Sequence, residues 1–168
     1  MFVGVLSTGT VSAADTTGTP KETNVPVSYD NRNSVVDPDD PLAEWSVSIP
    51  TAVAFAKDAT TKKVDVELVP INGATSDDFT STLSITVKAK SKNGMKLIVD
   101  GDTSGKDELS YTVAYGNTSL TGKTEATVAT LGKTALKVEG TATLGTEKPQ
   151  QRAPYADKLT YTITKVSD

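Results

Sequence analysis

The chain of 168 residues contains no histidine and no cysteine. Without an imidazole or a thiol there is no Ser-His-Asp or Cys-His nucleophile, and zinc sites built on nitrogen or sulfur ligands are excluded. Disulfides are excluded too, and a cysteine-free exported chain of this size fits a Gram-positive bacterium better than a secreted eukaryotic source. Aromatic residues are few, with one Trp, five Tyr and three Phe, too small a supply for a broad stacking platform once a core has been filled. No apolar run approaches the roughly 20 residues that cross a bilayer as a helix, so no membrane span is expected. Lys and Arg number 17 against 21 Asp and Glu and form no basic stripe, which argues against nucleic acid as a partner. A Gly-Lys-Thr run at residues 132–134 lacks the upstream glycine of a phosphate loop and precedes a strand-like segment, so it is not read as one.

What the sequence does contain is alternation. Val64, Val66 and Leu68 share one side of their segment, as do Leu83, Ile85 and Val87, then Leu109, Tyr111, Val113 and Tyr115, and finally Leu159, Tyr161 and Ile163. A period of two over so many segments describes half-buried antiparallel strands. The many threonines and valines suit a pleated surface, because their branched β-carbons pack well on it. Asn93-Gly94 reads as a tight I′ hairpin turn, since Asn followed by Gly best tolerates positive φ at both central positions. Asn72-Gly73, Asp100-Gly101 and Gly116-Asn117 mark further turns. No helical period persists over ten residues; a single helical turn is the most that Asp40-Pro41-Leu42 suggests. The fold class expected is all-β, an antiparallel β-sandwich of about eight to ten strands, Ig-like or jelly-roll-like.

Residues 1–14 are uncharged, small and apolar and end in Val11-Ser12-Ala13, a small-x-small pattern. Weighed against a plain disordered terminus, they read as the remnant of a secretory signal peptide, with the exported form beginning near Ala14 or Asp15. Residues 15–24, polar and rich in Thr, read as a flexible spacer. Residues 25–168 are then one β-sandwich domain, large enough for a single core.

The candidate site residues lie just before the first strong strand. Asp37, Asp39 and Asp40, with help from Asp30 or Glu44, offer oxygen ligands of the kind calcium prefers. An EF-hand loop is excluded, because its fifth position would be Pro41, its sixth Leu42 instead of Gly, and its twelfth Ser48. An irregular calcium site is weighed against a proline-stiffened loop with hydrated acids, and the second is favoured. Trp45 is weighed as a binding platform against a core anchor beside Val47 and Ile49, and again the second is favoured. Paired carboxylates alone would suffice for a glycosidase, but Asp65 and Glu67 alternate against an apolar row and read as a solvated face. Lys-to-Asn or Lys-to-Asp isopeptide staples are a further option, with no pair singled out.

The order of "VPVSYDNRNSVVDPDD", "WSVSIPTAVAF", alternating strands and a closing "PYADKLTYTITKV" resembles small exported β-sandwich proteins of Gram-positive bacteria, in the style of proteins associated with the WxL surface family. The paired Trp-x-Leu motifs of the WxL domain are absent, since Ser46 and Val47 follow Trp45. The resemblance covers most of residues 24–166 and supplies no catalytic residues. It implies a non-enzymatic protein, secreted and cell-surface associated, with a structural or adhesive role. The alternative is a carbohydrate- or calcium-dependent binding module accessory to an adhesin or an enzyme. No sorting motif is visible, so retention is expected to run through a surface protein partner, with cell-wall polysaccharide as a second candidate. The closing segment Lys158–Val166 is expected to be an internal strand and not one donated to a neighbour.

Overall fold

The computed structural model describes the backbone of residues 7–14, 20–27 and 34–35 and, with side chains, residues 44–102, 104–105 and 107–166. The chain divides into two compact units, Met1–Arg32 and Asn33–Asp168. In the first, strands β1 (Ser7–Ala14) and β2 (Pro20–Val27) pair antiparallel. Val11-Ser12-Ala13 therefore lies in a strand, and Pro20–Asn24 of the expected spacer are paired as well. Threonine and valine recur through both segments and favour that conformation.

The second unit is all-β with antiparallel sheets, one of them curled as a half-barrel; no α-helix occurs among the described residues. Its strands are β3 (Ser34–Val35), β4 (Trp45–Ser48), β5 (Thr61–Lys63), β6 (Val66–Pro70), β7 (Ser84–Ser91), β8 (Lys96–Val99) and β9 (Glu108–Tyr115). There follow β10 (Thr118–Ser119), β11 (Ala126–Gly132), β12 (Lys137–Val138), β13 (Gly140–Leu144), β14 (Tyr155–Ala156) and β15 (Leu159–Lys165). One sheet has the order β14-β8-β9-β13-β5, with β10 on β9; a second is β11-β7-β15, and a third β12-β6-β4-β3.

The alternating rows become the core. Val64, Val66, Leu68, Ile85, Val87, Tyr111, Val113 and Tyr115 are buried in one cluster with Trp45, Val47, Val128, Leu131 and Ala142, which draws on all three sheets of this unit. Leu159, Tyr161 and Ile163 pack against that cluster but are only half-buried. β15 pairs with β7 of its own chain, from Leu159 opposite Ser91 to Lys165 opposite Ile85.

Two neighbouring segments change sheet together. β5 pairs β13 while β6 pairs β12, so residues 61–70 and 137–144 run side by side from one sheet into another. The crossing is tight at Gly140, where a Cβ would lie 2.4 Å from the ring of buried Tyr115 and 2.8 Å from the Val64 carbonyl oxygen. Backbone cannot yield as a flexible side chain can, so the site demands glycine. Gly140→Ala is expected to destabilise the protein by about 2 kcal/mol or more through overpacking. Urea unfolding measures this, and a loss under about 0.5 kcal/mol, the usual range of an innocuous surface change, would show that the crossing relaxes.

The hairpin expected at Asn93-Gly94 is not formed. β7 and β8 lie in different sheets, and positive φ falls on Gly94 (76°) and Met95 (67°) and not on Asn93. The Asn93 N–H bonds to Asp157 Oδ1 at 2.9 Å and the Met95 N–H to the Ser91 hydroxyl at 2.7 Å. Side chains thus take donors that a two-residue turn would have given to its own ladder, and the chain crosses between sheets. The I′ geometry occurs instead at Asn72-Gly73, with φ of 56° and 84° and an Ala74 N–H to Ile71 carbonyl bond of 3.0 Å.

Candidate functional site

A cleft of about 300 Å³ opens between β15, β8, β9 and the segment that follows β4. Pro50 ends that strand run, and the chain then lays Val53 and Phe55 against the core. Phe55 meets Tyr111 with ring centroids 6.0 Å apart and planes tilted by 57°, an arrangement that aromatic pairs favour. Leu97, Leu159 and Tyr161 complete the apolar lining, and Asp157 and Lys158 provide the polar part.

Asp157 is the node of this region. Its Oδ2 accepts the Tyr111 hydroxyl at 2.7 Å and the Ser91 hydroxyl at 2.5 Å, and its Oδ1 accepts the main-chain N–H groups of Asn93 and Lys158 at 2.9 and 2.7 Å. Four donors nearly fill what an ionised carboxylate can accept, and they bind the start of β15 to the ends of β7 and the middle of β9. Nearby, the Tyr115 and Tyr161 hydroxyls are 2.6 Å apart and bridge β9 to β15. Burial pushes the Tyr111 and Tyr115 phenols far above the ordinary value of 10.0, helped by Asp157 in the first case and Tyr161 in the second. Tyr161 is also raised by burial. These phenols stay neutral at physiological pH and are not general bases.

A second acid, itself buried where Asp157 is only half-buried, works in the same way. Asp107 accepts the Tyr155 hydroxyl at 2.5 Å and the Gln150 N–H at 3.1 Å, which fastens the long connection before β14 onto the start of β9.

Asp65 is not the solvated residue that its position in the alternation suggests. It pairs with Lys137 at 2.8 Å and accepts the Gly140 N–H at 3.0 Å, at the point where the two segments change sheet. The Lys137 hydrogen bond, assisted by that of Gly140, holds its carboxyl below the ordinary value of 3.8. A lowered native pKa means that the contribution is present above 3.8 and is lost as pH falls through the native value. Asp65→Asn is therefore expected to lower stability by about 1 kcal/mol at neutral pH. Denaturant titrations should show the difference vanish in strong acid; a difference that persists there would assign it to packing instead of charge.

Trp45 is 8 % exposed and belongs to the core cluster beside Val47, so its ring presents no open face. Glu44 is exposed at the head of β4. Asp30, Asp37, Asp39, Asp40 and the helical turn expected at Asp40-Pro41-Leu42 lie outside the described residues. Among the described residues, no group of three or more His, Cys, Asp or Glu could hold a metal ion. Gly132 and Ala135 exchange main-chain bonds of 3.1 and 3.0 Å in a tight turn from β11 to β12, which accounts for the Gly-Lys-Thr run. The ion pairs of Lys88, Lys96 and Lys137 leave these lysine side chains 40 % to 50 % exposed, far from the buried setting that an isopeptide staple requires. Sequence reasoning missed Asp157, Ser91 and Asp107. Only Asp157 carries a local hint, as the acid directly before an alternating strand.

No family model matches the chain, and no curated protein matches its sequence.

Proposed function

We propose that the chain is a non-catalytic extracellular protein of a Gram-positive bacterium, with a structural or adhesive role at the cell surface, and that its second unit is a β-sandwich. The observation that carries the non-catalytic reading is the state of Asp157. The carboxylate in the cleft is committed to four donors of its own chain and the phenols beside it are neutral, which supports a role in tying strands together. The sandwich is supported by the shared core of β7, β9, β11 and β13 and by the Tyr115–Tyr161 bridge between two sheets.

A buried Trp45 weighs against the carbohydrate-binding alternative, which needs an exposed ring. Retention through a protein partner is part of the same proposal, and the lack of a basic stripe in the sequence favours it over direct binding to anionic wall polymers. The test is fractionation of producing cells into medium, salt-released, wall-bound and cytosolic material. Recovery in the salt-released fraction, lost when a neighbouring surface gene is deleted, is the expected result. A cytosolic protein, or glycan cleavage abolished by a carboxylate substitution, would overturn the proposal.

A further inference from the structure

The sheets end on strands of very different kinds. β3 and β14 have two residues each and β5 has three, with Lys62 and Lys63 among them. Short or lysine-bearing edges of this sort resist pairing with another chain. β11, the far edge of the β7 sheet, has seven residues but its register against β7 shifts between Thr127 and Ala129, and such a bulge also blunts an edge. β15 combines length with regularity. It has seven residues, Leu159–Lys165, with no proline and an unbroken register against β7.

The direction of its free hydrogen bonds follows from that register. Lys158 accepts the Lys92 N–H at 2.9 Å, and the Val166 N–H bonds to the Ser84 carbonyl at 2.9 Å. In an antiparallel ladder the residues between them alternate, so Thr160, Thr162 and Thr164 also face β7 with their main-chain groups. Those of Leu159, Tyr161, Ile163 and Lys165 point the other way, and no main-chain partner meets them among the described residues. The side chains of Leu159, Tyr161 and Ile163 are at the same time only half-buried. Val166, just beyond, is 49 % exposed.

We infer that this edge is a self-association surface: β15 pairs antiparallel with β15 of a second copy, with Thr162 on the two-fold axis. The choice of occupant rests on how the strand matches itself. Centred on Thr162, all seven residues are paired and every outward N–H and C=O of the strand gains a partner. On the outer face Thr160 lies opposite Thr164 of the second copy, and Thr162 opposite its own equivalent. On the inner face Tyr161 lies opposite Ile163. Thr–Thr and aromatic–β-branched pairs are among the favourable cross-strand neighbours. Charge is compatible as well, because Lys165 falls opposite Leu159 and Lys158 opposite Val166, so no lysine meets a lysine. The two-fold closes the contact, giving a dimer with a continuous sheet β11-β7-β15-β15-β7-β11 and not a filament. The inference is independent of any surface role.

A cysteine-free chain makes the register directly testable. Thr162 sits at a position where the pair would not be hydrogen-bonded, with Cα atoms about 4.5 Å apart, within the range of about 4.4–6.8 Å for a disulfide. The full chain carrying Thr162→Cys should give a covalent dimer under mild oxidation. Thr160→Cys alone should not, but Thr160→Cys mixed with Thr164→Cys should. Thr162→Lys and Thr162→Glu should each weaken dimerisation in sedimentation equilibrium at least about tenfold, since like charges meet on the axis, and mixing the two in equal amounts should restore it. Thr162 is exposed and its side chain makes one bond, to Glu125 at 3.1 Å, so circular dichroism should show each variant folded. A monomer at every concentration, cross-linking of an exposed control such as Thr130→Cys as efficient as that of Thr162→Cys, or failure of the charge-swapped mixture would overturn the inference.

Discussion

Asp157→Ala is expected to remove about 3–5 kcal/mol of stability. Two of the four donors that it serves, the Tyr111 and Ser91 hydroxyls, belong to residues only 5 % and 2 % exposed, and both lose their acceptor. A buried donor left without a partner costs about 1–3 kcal/mol, and the Asn93 and Lys158 N–H groups add smaller amounts. Since domains of this size are stable by only about 5–15 kcal/mol, a melting temperature lower by roughly 10 °C would follow. Tyr111→Phe deletes one donor and should cost only about 1 kcal/mol. In a double-mutant cycle the two losses should be strongly sub-additive, because once the acceptor is gone the Tyr111 hydroxyl is a liability. Additive losses, or an Asp157→Ala loss under about 1 kcal/mol, would mean that the four bonds contribute no more than exposed ones.

Alkali should unfold the protein well before its chemistry fails. The Tyr111 and Tyr115 phenols ionise in the unfolded chain near 10.0 but are held far above this in the fold by burial. Above that pH the unfolded state binds fewer protons than the native one, so stability falls as pH rises. Each phenol that stays protonated in the fold removes about 1.4 kcal/mol per pH unit, and two or three acting together exhaust a typical domain's stability by roughly pH 12. The phenolate absorbance of these residues should therefore appear in one cooperative step with loss of the circular dichroism signal. Tyr115→Phe, which keeps the ring and deletes the ionisable group, should shift the midpoint to higher pH than in the parent. Smooth titration near 10 with the fold intact would show that the hydroxyls reach solvent.

The apolar rows were legible because burial of one strand face leaves a period-two trace that depends on nothing else. Val64, Val66 and Leu68 needed no partner to be recognised, and the same holds for Leu109 to Tyr115. Asn93-Gly94 misled for the opposite reason. Its local preference for a hairpin competes with Asp157 and Ser91, one of them over sixty residues away, and nothing near Asn93 announces that an acid will arrive to take its N–H. Asp65 failed similarly: alternation tells which face a residue occupies, but not that Lys137 and Gly140 will be waiting on that face. The candidate site was hidden on the same grounds, since its node is assembled from the end of β7, the middle of β9 and the approach to β15, and Asp157 lies 66 and 46 residues from the two hydroxyls it accepts.

The stitching of Asp157 has a kinetic side. Its bonds to Ser91 and Tyr111 span 66 and 46 residues of sequence, and the Asp65–Gly140 bond spans 75. Closing loops of that length comes before any reward from the contacts they enable, and folds dominated by such distant pairings form in milliseconds to seconds and not in microseconds. The crossing between β7 and β8 is shaped by a carboxylate that emerges late, so the earlier strands have no fixed path until the closing segment is made. The crossing in the second unit therefore cannot be completed until Asp157 has been synthesised, 64 residues after Asn93.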